Sequence, residues 1–364
     1  MPTNQALREQ IAQRLNQELE ALASYAAKQL THPAGTDAGS TLDQLKQHLL
    51  ALGNAVLMNS PALFEAHVLQ LSKELGAPHA IEQVAALRQA LLLRLSVGEY
   101  VVAASTLSAG VNALTSKEVA VEPIAAPSPE RTPEAGRFAG LSADYLALLL
   151  AADRTAAQRL VLAEAEAGTD VRHLYLHVLQ PAQREVGNLW HSGTISVAEE
   201  HYCTAATAGL MAQLQPYFQH TPRNGRRLLA ACVAGDLHTL GLQMVADFLE
   251  YDGWEVSYLG ASTPLESIRR MAAEQGVDLL LTAASMPHHV PLLRELVTGL
   301  RSDRVTQHVR VLVGGRPFAH EAGLWERTGA DAWAANADEA VTVVRGMFGD
   351  GNRDADVKAS QAAS

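Results

Sequence analysis

A histidine is placed on a short loop between a predicted strand and a predicted helix. The loop, residues 235–241, reads GDLHTLG and follows the apolar run 228–233. Asp236 stands two residues before His238 and can accept a hydrogen bond from one imidazole nitrogen, which would leave the other nitrogen as a basic metal ligand. Gly241 has no side chain, so a bulky group could lie against the start of the helix. Most histidines in a short motif of this kind are ordinary loop residues. The surrounding sequence therefore decides whether His238 is a ligand.

The C-terminal part of the chain alternates apolar strands with amphipathic helices. After the run 228–233, strands are predicted at 253–260, 277–283, 309–313 and 331–334, and helices at 242–249, 264–275, 290–300 and 337–348. This alternation is typical of a parallel sheet covered by helices on both faces. Open sheets of this kind bind ligands at the carboxyl ends of the strands, which is where His238 is predicted.

The same region resembles the cobalamin-binding domain shared by corrinoid methyltransferases, mutases and light sensors. The family pattern is D-x-H-x-x-G, a serine after the third strand and Gly-Gly after the fourth, met here by Asp236, His238, Gly241, Ser285, Gly314 and Gly315. The resemblance implies a Rossmann-like, flavodoxin-like domain at 225–349 with a five-stranded parallel sheet. It also implies that His238 replaces the dimethylbenzimidazole base as lower cobalt ligand, which suits a nitrogen donor. The displaced nucleotide tail would enter a slot lined by Ser285 and the two glycines.

A second constellation lies in the preceding helical segment. Residues 138–220 predict a four-helix bundle with helices at 145–152, 155–167, 171–187 and 196–215. Trp190 stands at the end of the third helix, Gly193 in the turn, and Glu200 with His201 on the fourth helix. Such a helical hairpin brings the tryptophan and the Glu-His pair toward the same end of the bundle, called the cap mouth below. Taken singly, Trp190 is better explained as a core anchor and Glu200 as a solvated charge.

The spacing W-x9-E-H ahead of a cobalamin domain resembles the helical cap of the CarH-type adenosylcobalamin photoreceptors. The resemblance implies that Trp190 covers the upper face of the corrin and that Glu200 accepts hydrogen bonds from the adenosyl ribose. His201 would brace that carboxylate. His191 matches the residue that binds cobalt above the corrin after light has removed the adenosyl group. Whether His191 or water takes that position here is left open.

The N-terminal segment, residues 1–116, predicts about five helices with apolar residues at helical spacing. It has no basic recognition helix, so direct nucleic-acid binding is not expected. A helical domain ahead of a light-sensing cobalamin module resembles the photocobilins, which hold biliverdin in that domain. The segment has no cysteine, so a bilin would be bound noncovalently. A Pro-rich linker at 117–137 and a polar, disordered tail at 350–364 complete the predicted organisation.

Composition limits the remaining possibilities. The chain has 364 residues and a formal net charge of -11, which disfavours a general affinity for nucleic acid or anionic membranes. Its two cysteines are too few for a disulfide framework, which indicates a reducing cytoplasm. No apolar run approaches the length of a membrane span. The sequence therefore predicts a multidomain α and α/β protein of the cytoplasm.

The function indicated is a switch rather than an enzyme. The hypothesis is a light sensor that binds adenosylcobalamin, and with it cobalt, and whose homo-oligomer, a dimer or tetramer, changes with light to signal to an unknown partner protein. Biliverdin is a possible second chromophore. The alternatives are a corrinoid methyl carrier of a methyltransferase system and a light-insensitive cobalamin-binding regulator. His288 and His289 are interpreted as exposed loop histidines.

Overall fold

The structure, a computed structural model, describes residues 4–30, 38–115, 133–218 and 221–349. The predicted tail and most of the predicted linker lie outside these residues. The described residues fall into two compact units. One unit combines the N-terminal helices with residues 284–301 and 315–331. The other combines the described part of 124–283 with residues 302–314 and 332–349.

The described part of the N-terminal region contains six helices. They are α1 (Asn4–Gln17), α2 (Leu19–Ala27), α3 (Ala38–Leu57), α4 (Pro61–Leu75), α5 (Ala77–Arg94) and α6 (Val97–Thr115). The sequence predicted about five, because the helical spacing continues through Glu18, where the chain bends between α1 and α2. Helices α4 and α6 pack closely at Gly110, where a Cβ atom would lie 2.7 Å from the Phe64 ring.

The middle region forms the predicted four-helix bundle, called the cap below. Its elements are α7 (Pro133–Leu150), α8 (Arg154–Glu166), α9 (Val171–Leu174), α10 (Gln180–His191) and α11 (Val197–Leu214), with a π-helical turn at Tyr175–Leu179 that joins α9 to α10. Helix α7 begins within the segment predicted as linker, since Phe138 is buried in the core of the cap and anchors its first turns. Helix α11 begins with a capping box formed by Ser196 and Glu199.

The C-terminal region forms the predicted five-stranded parallel sheet with helices. The strands are β1 (Arg227–Val233), β2 (Glu255–Thr263), β3 (Leu279–Ala283), β4 (Arg310–Gly314) and β5 (Ala332–Trp333). The helices are α12 (Leu240–Tyr251), α13 (Leu265–Gln275), α14 (Val290–Ser302), α15 (Arg316–His320), α16 (Leu324–Arg327) and α17 (Ala337–Phe348). Helices α15 and α16 were not predicted, since each is too short to show an apolar period.

The strand order is β2-β1-β3-β4-β5, the flavodoxin-like order. The central strands are in register, with Leu229 beside Leu280 and Leu280 beside Val311. Strand β2, which follows β1 in the chain, lies on one side of β1, and the next strand, β3, lies on its other side. This reversal opens a crevice at the carboxyl end of β1, the usual ligand position in such sheets. The fold class predicted from the sequence is confirmed.

The cap shares a hydrophobic core with α12. Met244 and Phe248 of α12 and Ala337 of α17 are buried in the same cluster as the apolar faces of the cap helices. Helix α12 begins two residues after His238. The elements that carry the two predicted halves of the site are therefore packed on one another within this unit.

A line of polar side chains runs through the N-terminal helices. Gln83 donates from Nε2 to Gln44 Oε1 over 2.9 Å, and its Oε1 faces His48 Nε2 at 3.0 Å. His67 Nε2 lies 3.0 Å from His48 Nδ1. Because an amide oxygen only accepts, His48 carries its proton on Nε2 and accepts from His67 at Nδ1. Both imidazoles are neutral in this arrangement.

The same unit brings the 3-10 turn Pro287–His289 against α4. His288 is exposed, but His289 is buried at 2% exposure, and the two rings meet at 4.1 Å between centroids. The interpretation of both as exposed loop histidines is therefore wrong for His289. The positive charge of a protonated His288 would also disfavour a charge on His67.

Acidification is expected to destabilise the protein through His48 and His67. Burial lowers the pKa of His48 to about 3 and that of His67 to about 4, from an ordinary 6.5. The unfolded chain therefore binds protons that the folded chain refuses, so the stability that these two histidines contribute above pH 6.5 is lost as the pH falls toward 4.5, by roughly 3 kcal/mol for each histidine. Urea unfolding between pH 7 and pH 4.5 measures this loss. The His67→Gln variant should lose less free energy of unfolding over that range. The control His308→Gln, at an exposed site, should lose as much as wild type. Equal losses in all three proteins would contradict the account.

Candidate functional site

The His238 loop connects the carboxyl end of β1 to α12. Gly235 opens it with φ of 82°, a left-handed conformation that favours glycine. Asp236 is fully buried, and its Oδ1 lies 3.1 Å from the backbone nitrogen and 3.0 Å from Nδ1 of His238. The His238 side chain is 58% exposed. The predicted pairing of the two residues is therefore present in the structure.

This geometry decides which nitrogen of His238 is basic. The Asp236 carboxylate accepts a hydrogen bond, so Nδ1 carries the proton and Nε2 keeps its lone pair. A carboxylate behind a ligating histidine fixes the ring and raises its basicity. The Cys232 thiol donates to the carbonyl oxygen of His238 over 3.9 Å, and burial raises the pKa of this thiol to about 12, so it stays protonated. The loop thus presents an oriented imidazole whose Nε2 can bind a metal.

Two exposed apolar side chains belong to the His238 loop and to strand β2. Leu237 is 66% exposed, and the Tyr258 ring, whose hydroxyl donates to the Thr239 carbonyl over 3.3 Å, is 38% exposed. Among the described residues, no atom beyond the backbone of its own helix and its chain neighbours lies within 4 Å of the position that a Cβ on Gly241 would take. Exposed apolar side chains beside a basic nitrogen are suited to a large, flat ligand with a metal at its centre. The sequence analysis did not single out Leu237 and Tyr258, although a leucine between Asp236 and His238 was a visible signal.

The predicted slot residues follow the two central strands. Ser285 comes directly after Ala284 beyond β3, and Gly314 ends β4. Gly315 has φ of 115°, and a Cβ there would lie 2.7 Å from the carbonyl carbon of Ala284 and closer still to its oxygen. The backbones of these two segments therefore approach each other in a way that only glycine permits. Within its own unit, Gly314 has the Ala334 carbonyl oxygen 3.6 Å from where its Cβ would be.

The mouth of the cap carries the second predicted group. Trp190 is 36% exposed near the end of α10, and Gly193, with φ of 74°, makes the turn toward α11. On α11, Thr204 Oγ1 donates to Glu200 Oε1 over 2.7 Å, and His201 Nε2 lies 3.5 Å from Glu200 Oε2. The Glu200 side chain is 23% exposed and the His201 side chain 71%. The pairing of Glu200 with His201 is as predicted, whereas the side chain of His191 lies outside the described part of the structure.

Comparison with known proteins agrees with this fold. The B12 binding domain family matches residues 226–344, and a second B12 binding domain family matches residues 141–215. Dimethylamine corrinoid protein 1 of Methanosarcina acetivorans is 30% identical over 47% of this chain and 80% of its own length. Dimethylamine corrinoid protein 3 of Methanosarcina mazei is 33% identical over 40% of this chain and 86% of its own length. The fold is thus that of a B12-binding protein.

The chain belongs to the family of corrinoid proteins, which bind cobalamin-type cofactors. The structure of the Methanosarcina barkeri monomethylamine corrinoid protein has the same fold, with a TM-score of 0.52 and 21% identity over 57% of this chain and 98% of that one. These relatives fit the alternative of a corrinoid carrier better than the light sensor. The predicted adenosyl form, biliverdin and light-dependent oligomer are not supported by them. None of the described helices is long and apolar enough to cross a membrane.

Proposed function

We propose that this chain is a corrinoid carrier that holds a methyl-bearing cobalamin for partner methyltransferases and itself performs no substrate chemistry. The observation that carries the proposal is the oriented His238 imidazole, exposed on an apolar surface at the switch point of the sheet. The names of the relatives, dimethylamine corrinoid proteins, support the methyl cargo. A carrier also needs an upper face that a partner can reach, and the neighbouring cap mouth has exposed residues such as Trp190 and Val197.

The residues present fit a cobalamin. Gly241 leaves open space at the start of α12, Gly315 allows the close backbone approach beside Ser285, and His238 supplies a nitrogen donor. We assign His238 as the lower cobalt ligand, with Asp236 holding the Nδ1 proton, and the family pattern assigns Ser285, Gly314 and Gly315 to the nucleotide tail. Bound cobalamin would supply a cobalt centre whose upper ligand can be transferred.

The remaining residues control what reaches this centre. Asp236 keeps the imidazole in the tautomer whose Nε2 can bind, and the exposed apolar side chains of Leu237 and Tyr258 would help to shield a bound metal from water. The cap, which is packed on α12, would shield the bound group until a partner reaches it. The chain thereby binds, orients and shields, and the reaction itself is left to the partner.

A second function, light sensing with adenosylcobalamin, is favoured by one specific feature. Trp190 lies at the cap mouth, and Glu200 is paired with His201 and Thr204, an arrangement that can accept hydrogen bonds from ribose hydroxyls. In that function Trp190 packs on the adenosyl group and His191 is the proposed upper ligand after illumination. The N-terminal helices, which lie outside both matched B12 binding regions, are then the proposed site for a noncovalent biliverdin.

The preference for the upper ligand separates the two functions. Full-length protein is incubated in the dark with equal methylcobalamin and adenosylcobalamin, and the retained cofactor is identified after gel filtration. A carrier retains methylcobalamin at least as well as the adenosyl form. A sensor prefers adenosylcobalamin by about tenfold or more, roughly the value of one charge-assisted hydrogen bond.

Glu200→Gln tests the basis of that preference, with the exposed Glu185→Gln of α10 as the matched control. In a sensor, the Glu200 variant loses the adenosyl preference and the Glu185 variant keeps it. Green light would then change the oligomeric state of the loaded protein, and added biliverdin would form a red-absorbing complex. Methylcobalamin retention, with an oligomer that light does not change, supports the carrier; retention of neither cofactor would overturn both functions.

A further inference from the structure

One polar pair is buried in the apolar contact between the cap and α12. The Tyr175 hydroxyl donates to Asp247 Oδ2 over 3.0 Å, and it also lies 3.4 Å from the Met211 carbonyl oxygen. Tyr175 is fully buried and Asp247 is 8% exposed. Apolar residues of the same cluster, among them Met244 and Phe248, surround them. A carboxyl group in such a position costs free energy that an apolar residue would not, so its presence calls for a role.

The backbone places Tyr175 for this contact. It begins the π-helical turn Tyr175–Leu179, which interrupts an otherwise continuous helix. Single π-helical turns are rare and occur frequently at functional sites. The Tyr175 ring packs on Phe248 of α12 at 6.0 Å between centroids and edge-on to Phe218 at 5.5 Å. The ring is thus held against α12 with its hydroxyl directed at Asp247.

The groups that face Asp247 do not neutralise its negative charge. Hydrogen bonds reach it from Tyr175 of the cap and from Gln215 at the end of α11, while Glu250 of its own helix adds negative charge. Tyr258 of β2 also interacts with it. The nearby guanidinium of Arg172 lies over the Tyr251 ring at 4.4 Å and is paired with Asp170. Burial raises the pKa of Asp247 to about 7 and keeps that of Tyr175 far above neutrality.

We propose that Asp247 and Tyr175 are positioning residues that hold the cap on the helix following His238, and that loss of the Asp247 proton loosens the cap. Helix α12, which carries Asp247, starts two residues after the proposed ligand His238, so the contact that holds the cap lies on the element that directly follows this ligand. The part of the inference that concerns the corrin's upper face rests on the proposed function. The contact between cap and α12 does not.

The direction of the pH effect follows from burial. With the cap seated, Asp247 releases its proton near pH 7; with the cap lifted, the exposed carboxyl has its ordinary pKa of 3.8. Between pH 4 and pH 7 the lifted form ionises while the seated form does not. Lifting therefore becomes more favourable as the pH rises through this window, by at most about tenfold per pH unit, and levels off above it.

Hydrogen exchange of the full-length protein without cofactor tests the Tyr175–Asp247 contact, called the latch below. Cap peptides from residues 171–191 are followed from pH 5 to pH 8, and their rates are divided by the intrinsic rates at each pH. Wild type and the control Asp144→Asn, an exposed carboxyl on α7, should show opening that rises at least several-fold between pH 5 and pH 7. Asp247→Asn, which keeps an acceptor for Tyr175 but cannot ionise, should show no such rise. A rise of the same size in Asp247→Asn would overturn the proposal, and so would its absence in wild type.

Tyr175→Phe provides a second variant that keeps the ring and removes the donor. Its cap peptides should exchange about tenfold faster than wild type at pH 5, and unchanged exchange would contradict a positioning role even if Asp247→Asn does not fold. A second readout uses protein loaded with hydroxocobalamin, whose upper ligand is replaced by added cyanide; this replacement should be faster in Tyr175→Phe. If no cobalamin binds, the proposed function fails while the exchange result still decides the latch.

Discussion

Replacing His238 with alanine is expected to lower the affinity for cobalamin by more than about 100-fold and to abolish coordination by the protein. The imidazole supplies the one strong bond between the chain and the metal in the proposed site, whereas the apolar surface and the slot contribute to holding the ring and the tail. Substitution of a residue that only orients a metal ligand typically lowers the metal affinity by about 10–100-fold. Asp236→Asn, which alters the partner of Nδ1, should therefore lie between wild type and His238→Ala.

Titration of the cofactor-free protein with hydroxocobalamin, followed by absorbance, measures this series. The control is His308→Ala, which removes an exposed histidine from another part of the same unit. It should bind as wild type does. If His238→Ala takes up the cofactor with wild-type affinity and an unchanged spectrum, the assignment of the lower ligand is wrong.

Replacing Gly315 with alanine is expected to disrupt the folded slot. The new Cβ would collide with the Ala284 carbonyl group, and the φ of 115° is strained for any residue with a side chain. Strain of this kind costs about 1–3 kcal/mol before the collision is added. The free energy of unfolding should fall by more than about 3 kcal/mol, and cobalamin binding should be lost with it.

The same substitution at Gly346 is the matched control. Gly346 lies inside α17, has ordinary helical geometry, and no atom stands within 4 Å of the position of its added Cβ. Alanine there should stabilise the protein by about 0.5–1 kcal/mol, because glycine is a poor helix former. Urea unfolding of the two variants compares them directly. A Gly315→Ala protein as stable as wild type would contradict the close backbone approach.

The sequence predicted the site where its residues are close together along the chain. Asp236 and His238 are two residues apart on a loop whose flanking strand and helix have clear apolar patterns, so their contact follows from local geometry. Gly315 was predicted from the family pattern, and the structure adds the steric reason. Trp190 and Glu200 belong to adjacent helices joined by a short turn, so their placement at the end of α10 and the start of α11 also follows from local structure.

The contacts that join distant segments were not predictable in this way. Tyr175 and Asp247 are 72 residues apart, and each lies in a helical pattern that reads as ordinary until the two elements are packed together. The burial of His289 depends on the packing of its turn, which the periodicity of apolar residues in the sequence does not predict. Helix α7 extends into the predicted linker because one buried side chain, Phe138, outweighs the proline and glycine around it.

Electron paramagnetic resonance of the protein loaded with cob(II)alamin tests the central claim most directly. The unpaired electron of this cobalt lies along the axis of the lower ligand, so its spectrum is split by the coordinating nitrogen. Protein made with histidine labelled with nitrogen-15 and loaded with unlabelled cofactor should show doublets in place of the triplets given by unlabelled protein, and His238→Ala should show no such doublets. Triplets that persist in the labelled wild-type protein would mean that the cofactor keeps its own base, and that His238 is not its ligand.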